Sequence, residues 1–131
     1  MTLKVELVVP DRELWAGEAR IVIAKTTEGD IGVLTGHAPV FGVLAEGSLV
    51  EILPPEDSEQ PAVRAAVSGG FLSVADDLVS VLAADAQLAE DVDVSVARQA
   101  LEEAPAGPNA GEESAEAKYA RAQLRAAGDQ A

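Results

Sequence analysis

The sequence has no cysteine, a single histidine and only four aromatic residues among its 131. Without cysteine, disulfide bonds, thiolate catalysis and cysteine-ligated zinc are excluded. One histidine leaves no histidine pair to hold a metal ion, so no metal site is predicted. Because aromatic rings are so few, the core has to be built from the aliphatic residues that make up most of the 48% hydrophobic fraction.

Basic residues are also scarce, since nine Lys and Arg are outnumbered by 23 Asp and Glu, which gives a formal net charge of −14. Binding to a phosphate backbone requires cations that displace its counterions, so nucleic acid is not expected as a partner. No apolar run approaches the ~20 residues that a membrane span needs. The N-terminus lacks the basic and apolar regions of a signal peptide. These absences predict a soluble, cytoplasmic protein without direct membrane insertion.

Short apolar runs, separated by glycine, proline or paired acidic residues, fill the chain as far as residue 86. Several alternate apolar and polar positions with the period of a strand, and no helical pattern lies between them. Eight or more closely spaced strands are typical of an antiparallel sandwich or flattened barrel, whereas a parallel sheet would need crossover helices. The predicted fold class is therefore α+β, with a flattened antiparallel β-sandwich over residues 1–86.

Alanine and glutamate dominate beyond residue 86, and this composition predicts a helical hairpin domain over residues 87–131. The two helices are expected over about 93–104 and 112–127. The proline- and glycine-rich stretch 105–111 is expected to be their linker. Asp93 is placed to cap the first helix.

The second predicted helix has two distinct faces. Its apolar stripe is mostly alanine and consists of Ala117, Ala120, Leu124 and Ala127. Since a buried CH₂-sized group contributes only ~0.8 kcal/mol, we expect the hairpin to pack loosely on the sandwich and to be able to detach. Three basic residues share another face, namely Lys118, Arg121 and Arg125.

The sequence offers no set of residues typical of catalysis. No serine lies in a nucleophile-elbow motif, and Gly69-Gly70 is not followed by the Gly-Lys-Ser/Thr of a phosphate-binding loop. His37 is expected to be a structural residue that hydrogen-bonds nearby backbone, and Asp76-Asp77 a solvated turn. The chain is therefore not expected to be an enzyme, and a hydrolase in particular lacks its catalytic set.

Three segments carry a resemblance to a known family: residues 28–40, 68–74 and 79–86. The first contains Gly-x-x-Gly, two hydrophobic residues, then x-Gly-His-Ala-Pro; the second contains Gly-Gly-Phe and the third Val-x-Val-Leu-Ala. In this order and spacing they strongly resemble the epsilon-subunit family of bacterial F-type ATP synthases. The resemblance covers residues 1–86 by motif and residues 87–131 mainly by architecture.

The resemblance implies a flattened ten-stranded sandwich at the foot of a rotor. It implies a non-catalytic central-stalk subunit that binds the gamma subunit, contacts the c-ring and couples the rotation of this ring to the catalytic head. The complex would hold the chain peripherally at the cytoplasmic face of the bacterial plasma membrane. In the family the helical pair folds against the sandwich or extends along gamma to the alpha/beta head, where it blocks rotation in the hydrolysis direction.

Within this resemblance, residues 29–39 form a rigid loop that faces the c-ring and gamma. Asp30 matches the acidic position that faces basic turns of the ring, and the alternative for it is a solvated turn aspartate. Gly32 allows a tight backbone turn, His37 holds the loop, and Pro39 stiffens its exit.

The resemblance also gives roles to the helices. Lys118, Arg121 and Arg125 match basic residues of the family's last helix that approach acidic segments of the catalytic beta subunit; the alternative is a solvated face with intrahelical pairs. Some members bind ATP through (Ile/Leu)-Asp-x-x-Arg-Ala, but here Val96 occupies the arginine position. Asp93 and Arg98 are thus only a weak candidate ATP site, and no cofactor is expected.

A different class of function also fits the pattern, namely a free-standing β-sandwich protein-binding module with a helical tail. Such a module would be expected to bind its ligand through exposed aromatic residues. The four aromatic residues are sparse and mostly placed in predicted strands: Trp15, Phe41, Phe71 and Tyr119.

Overall fold

The computed structural model describes residues 2–128, which form ten strands, two α-helices and one short 3-10 helix. The strands are β1 Leu3–Val9, β2 Arg12–Ala19, β3 Ile21–Thr26, β4 Gly29–Leu34, β5 Val40–Leu44, β6 Ser48–Leu53, β7 Val63–Val67, β8 Gly70–Ala75, β9 Leu78–Ala83 and β10 Ala86–Leu88. The 3-10 helix covers Ala89–Asp91, and the α-helices are α1 Val94–Glu103 and α2 Ala115–Ala126.

The strands form two five-stranded sheets around one core, which confirms the predicted sandwich. The first sheet has the order β4-β3-β6-β7-β10 and the second β5-β8-β9-β1-β2. A single residue pair, Thr26 with Leu44, joins β3 to β5 and so links the sheets. One pair departs from the predicted antiparallel pattern, because β1 and β9 run parallel. Seven strands lie between them along the chain, so no crossover helix is needed to align them.

The inward-facing side chains of both sheets form a core of aliphatic residues, as the scarcity of aromatic rings predicted. Its largest fully buried members are Leu3, Leu7, Leu44, Ile52 and Leu72. The burial follows the period of two along a strand: in β6, Val50 and Ile52 are buried and Glu51 between them faces outward.

Two strands, β2 and β10, are not revealed by the sequence pattern. β2 lies at the edge of the second sheet and has polar or small residues at most positions, so its burial pattern does not alternate cleanly. β10 has only three residues. Because β10 ends at Leu88, the first sheet continues two residues beyond the predicted domain boundary at residue 86.

The helices differ from their predicted bounds mainly at the start of α2. Asp93 caps α1, as predicted, because its side chain accepts hydrogen bonds from the backbone N–H groups of Ser95 and Val96. The predicted start of the second helix at residue 112 is wrong: Ser114 is the N-cap of α2, and Glu113 forms an antiparallel bridge with Ala106. The stretch between the helices is therefore an ordered turn rather than a simple linker.

α2 lies between α1 and the outer face of the first sheet, where it packs on β6 and β7. Its sheet-facing stripe consists of Tyr119, Ala122 and Ala126. The opposite side of the helix carries three further buried residues, Ala117, Ala120 and Leu124. The sequence predicted this second stripe but not the sheet-facing one. Ala127, which was also expected in the predicted stripe, is exposed. The sandwich, α2 and α1 thus form successive layers.

Candidate functional site

The segment that carries the family-like motif is a strand followed by a loop. Gly29–Leu34 is β4 and pairs along its whole length with β3, and the loop covers only residues 35–39. Asp30 lies near the start of β4 and His37 lies beyond its end, and the four steps from Asp30 to Leu34 alone span ~13 Å. The expectation of a single loop over residues 29–39 is wrong, because residues 29–34 form a strand, and Asp30 and His37 do not lie together. That this segment faces a partner stays a prediction.

Asp30 lies on the outer face of the first sheet, the face on which α2 packs. It is exposed and stands opposite Lys25 in the β3–β4 register. Asp30 and Lys25 line a groove of about 260 Å³ together with Glu51 of β6 and Arg125 of α2. Asp30 and Arg125, which the sequence predicted to serve separate contacts, thus line the same groove.

The loop at residues 35–39 is held by hydrogen bonds to backbone and side chain. His37 donates from Nδ1 to the carbonyl oxygen of the next residue at 2.6 Å, as expected of a structural histidine. The N–H of Gly36 donates to Oδ1 of Asp77 at 2.7 Å, so the β8–β9 turn is not simply solvated. Gly32 lies within β4 and Pro39 directly precedes β5; both are exposed.

The three basic residues of α2 share one lateral face but have different surroundings. Arg121 donates from Nε to the carboxylate of Glu113, which precedes the helix, so this pair is not an intrahelical one. Arg125 lines the groove that contains Asp30. The backbone of Lys118 approaches Gly47 so closely that a Cβ on this glycine would lie 2.3 Å from the carbonyl carbon of Lys118. While α2 is docked, these residues do not form one free basic surface.

The two candidate ATP residues, Asp93 and Arg98, have different surroundings on α1. The carboxylate of Asp93 is engaged by the cap and by the hydroxyl of Ser95 at 2.7 Å. The Ser95 side chain, and next the backbone N–H of Val96, lower the pKa of Asp93. Arg98 lies five positions along the helix in a shallow groove with Glu102 and Glu103, whose charges repel phosphate.

An apolar patch covers part of the outer face of the second sheet, on the opposite side of the sandwich from α2. The patch consists of Phe41, Val43, Phe71, Leu78 and Leu82. Phe41 is 65% exposed and Phe71 45%, and their rings stack with centroids 5.4 Å apart. Val43, Phe71 and Leu82 are direct neighbours in register across β5, β8 and β9. Contiguous exposed patches of this kind mark interaction sites.

The apolar patch was missed because its aromatic residues lie in strands. The available signal is the face of the strand on which each aromatic residue lies. In β8 the buried face carries Leu72 and Val74, so Phe71 lies on the outward face. An aromatic residue at the outward phase of a strand faces solvent or a partner.

A second set of contacts, also missed, fixes α2 to the first sheet. Gln123 donates from its side-chain amide to Oε1 of Gln87 in β10 at 2.7 Å. Tyr119 packs with Ala66 of β7. Burial first, and the charge of Asp85 second, raise the pKa of Tyr119 to about 12. The signal for this stripe is the helical spacing of Tyr119, Ala122 and Ala126, which is weak because two of the three residues are alanines and the third has a polar hydroxyl.

Within residues 2–128, no three His, Asp or Glu side chains converge in a way that could hold a metal ion. In the same part of the chain, no helix is both long and apolar enough to cross a membrane.

Several known proteins are similar to this chain in sequence. The family model for the ATP synthase delta/epsilon chain β-sandwich domain matches residues 2–89. The ATP synthase epsilon chain of Thermobifida fusca is 57% identical over 103 residues, which cover 78% of this chain and 74% of that protein. The epsilon chain of Rhodococcus erythropolis is 47% identical over 124 residues, 95% of this chain and 94% of its own length, so the similarity continues through both helices.

Solved structures share the fold. One match is a chain of the Euglena gracilis mitochondrial ATP synthase, from a cryo-EM structure of its OSCP, F1 and c-ring in rotational state 1. The TM-score is 0.67 and the sequence identity 26%, and the match covers 94% of this chain and 75% of that chain. A chain from the central stalk and c-ring of the Tetrahymena thermophila mitochondrial enzyme matches with a TM-score of 0.60 over 97% of this chain and 91% of that chain, at 17% identity, which shows the fold alone. With a family match across residues 2–89 and close relatives along most of its length, the chain belongs to the ATP synthase delta/epsilon chain family.

Proposed function

We propose that this chain is a non-catalytic subunit of the rotating central stalk of a proton-translocating F-type ATP synthase, and that it couples rotation of the c-ring to the catalytic head. The observation that carries the proposal is the apolar patch, a docking surface on a member of the epsilon family. The complex would hold the chain peripherally at the cytoplasmic face of the bacterial plasma membrane.

The apolar patch fits a permanent partner, the gamma subunit, better than a transient ligand. It lies on the paired strands β5, β8 and β9, which give it a rigid, nearly flat surface. The stacked rings of Phe41 and Phe71 have the character of an interface anchor. Burying each ring against a partner contributes about 1.5–3 kcal/mol, which favours leaving the patch covered in the assembled stalk.

The Asp30 groove lies on the opposite side of the sandwich and suits the contact with the c-ring. Asp30 is exposed, and a basic turn of the ring would bring a positive charge to it. The groove also contains Arg125, so the docked α2 already supplies a positive charge there. Contact with the ring and docking of α2 would therefore influence each other through Asp30.

The helices would form a regulatory element that restrains ATP hydrolysis. In the docked position they pack on the first sheet; once released, Lys118, Arg121 and Arg125 would be available to acidic segments of the alpha/beta head. ATP is not part of this proposal, because Asp93 is engaged in the cap and Arg98 lies beside two glutamates. Isothermal titration of the chain with MgATP is expected to give no binding heat.

Co-purification with gamma tests the proposed stalk function. The double variant Phe41→Glu/Phe71→Glu is expected to weaken capture of gamma by at least about a hundredfold, because two interface anchors are replaced by charges that cannot be buried. Val96→Glu is the matched control, since Val96 is 61% exposed on α1 and outside the patch. Undiminished capture by the double variant would contradict the assignment. Capture of other proteins, but neither gamma nor the c-ring, by the unmodified chain would favour the free-standing binding module.

A further inference from the structure

The sandwich is open along one side, between the last strand of each sheet. β2 pairs only with β1 within the described residues, so its other edge is free. β10 is so short that it pairs only with the part of β7 from Ala65 to Val67, and this leaves the β7 edge at Val63 and Arg64 uncovered. A groove of about 880 Å³ lies between these two strand edges.

The floor of this groove is apolar and built from inward-facing residues. Trp15 and Val63 belong to the periphery of the core, as does Leu88 of β10. The Trp15 ring lies over Gly17, where a Cβ would come within 2.8 Å of its Cη2 atom. A side chain at Gly17 would push the ring away, so the glycine allows Trp15 to form a smooth wall of the groove.

The rim of the groove is mainly acidic. Glu18 of β2, Asp57 of the β6–β7 loop and Glu90 of the 3-10 helix line it, and all three are exposed. The one base in the lining is Arg64, and its Nε is buried without a hydrogen-bond partner in the part of the chain that the structure describes.

We propose that this open-edge groove binds an extended, basic segment of another protein chain by strand addition. Alternate residues of a free strand edge present unpaired N–H and C=O groups, which an added strand pairs with. Along that added strand, every second side chain would meet Trp15 and Val63, and the intervening basic side chains would reach the acidic rim.

Other occupants fit the groove less well. A second copy of this chain also carries a net charge of −14, so the acidic rims would repel each other. A phosphate-bearing ligand would face the same three carboxylates with only Arg64 to attract it. The groove is separate from the apolar patch and from the Asp30 groove, so this inference does not depend on the proposed stalk function.

Peptide binding to the intact chain tests the inference. The probe is an end-blocked hexapeptide of alternating lysine and valine. Trp15 is the only tryptophan, so a saturable change in its emission reports occupancy of the groove. The peptide is also expected to slow amide exchange along β2. Two matched peptides should not bind: one has glutamate in place of lysine, and one has proline in place of valine and so lacks half of the N–H donors.

Two variants connect the binding to the rim. Asp57→Lys/Glu90→Lys is expected to weaken binding of the lysine peptide at least about tenfold, while Glu102→Lys/Glu103→Lys makes the same charge change on α1 and should leave it unaltered. The inference would be overturned if the lysine peptide showed no saturable binding at concentrations up to about 1 mM. A dissociation constant of this size corresponds to a binding free energy of only ~4 kcal/mol. Equal binding of the glutamate peptide would also overturn it, because charge would then not decide the interaction. Equal binding of the proline peptide or of spermine would do the same, because strand pairing would then not be needed.

Discussion

Tyr119 is the only tyrosine of the chain and lies half-buried where α2 meets the first sheet. Its pKa in the folded chain is about 12, raised from an ordinary value of 10.0. Docking therefore favours the neutral phenol. The contribution of Tyr119 to docking is complete below pH 10, and it is lost as the pH rises through about 12.

We expect α2 to lose helical structure as the pH rises from about 10 to about 12, because a detached helix of 12 residues is not stable in water. Circular dichroism measures the helix loss, and tyrosinate absorbance measures the titration of Tyr119 in the same sample. Tyr119→Phe is the matched control and should keep its helical signal over this window. An identical transition in that variant would assign the pH response to other groups.

Single residues could be predicted from the sequence when their role is local. The cap at Asp93 and the backbone hydrogen bond of His37 each involve residues within three positions along the chain. The bond from Gly36 to Asp77 spans 41 positions, and that from Gln123 to Gln87 spans 36. Such contacts depend on how strands and helices are arranged, and no local pattern contains that information.

Among the strands and helices, those with strong alternation could be predicted and the others could not. β1 alternates almost ideally and was evident, whereas β2 is an edge strand whose outward and inward residues are both partly exposed. β4 was expected to be part of a loop because two of its six residues are glycines. The start of α2 was expected too early in the sequence, because acidic residues such as Glu112 and Glu113 are favourable in the first turn of a helix.

The position of α2 on the sandwich depends on one turn between strands. Gly47, between β5 and β6, has a φ of +60° and meets the Lys118 backbone directly. Replacing Gly47 by Ala adds a Cβ only 2.3 Å from the Lys118 carbonyl carbon, which belongs to the helix backbone and cannot rotate away. α2 must then move off the sheet.

We therefore expect Gly47→Ala to accelerate amide exchange throughout Ala115–Ala126 more than tenfold while the core strands keep their protection. The control is Gly111→Ala, because Gly111 has a φ of +83° but no atom within 4 Å of the added Cβ. Both variants carry the ~1 kcal/mol penalty of a left-handed alanine, and only the first carries the clash. Equal exchange in the two variants would mean that Gly47 does not control docking.

Taken as a whole, the molecule presents different chemistry on each side of a rigid sandwich. One side has the apolar patch and the other has α2 beside the Asp30 groove. The composition predicted the sandwich and the helical pair, because both follow from the periodicity of apolar residues. It did not predict which of the candidate residues lie close together. Asp30 and Arg125 are 95 positions apart in the sequence and line one groove, whereas most of β4 lies between Asp30 and His37.

This arrangement makes Asp30 the residue through which the ring contact and the docked helix would communicate. In Asp30→Lys, a third positive charge joins Lys25 and Arg125, so the groove would repel both α2 and a basic turn of the c-ring. Reversal of one such charge pair is worth about 1.4 kcal/mol, or about tenfold in affinity. We expect the assembled synthase to lose coupling between proton flow and ATP synthesis.

The measurement is the rate of ATP synthesis at a fixed proton gradient, with the subunit content of the purified complex determined in parallel. Glu28→Lys is the matched control, because it makes the same charge change two positions away in the exposed β3–β4 turn, outside the groove. Reduced synthesis in Asp30→Lys alone, with all subunits retained, supports a ring contact at Asp30. Unchanged coupling would remove Asp30 from this contact, and equal loss in both variants would assign the effect to overall charge.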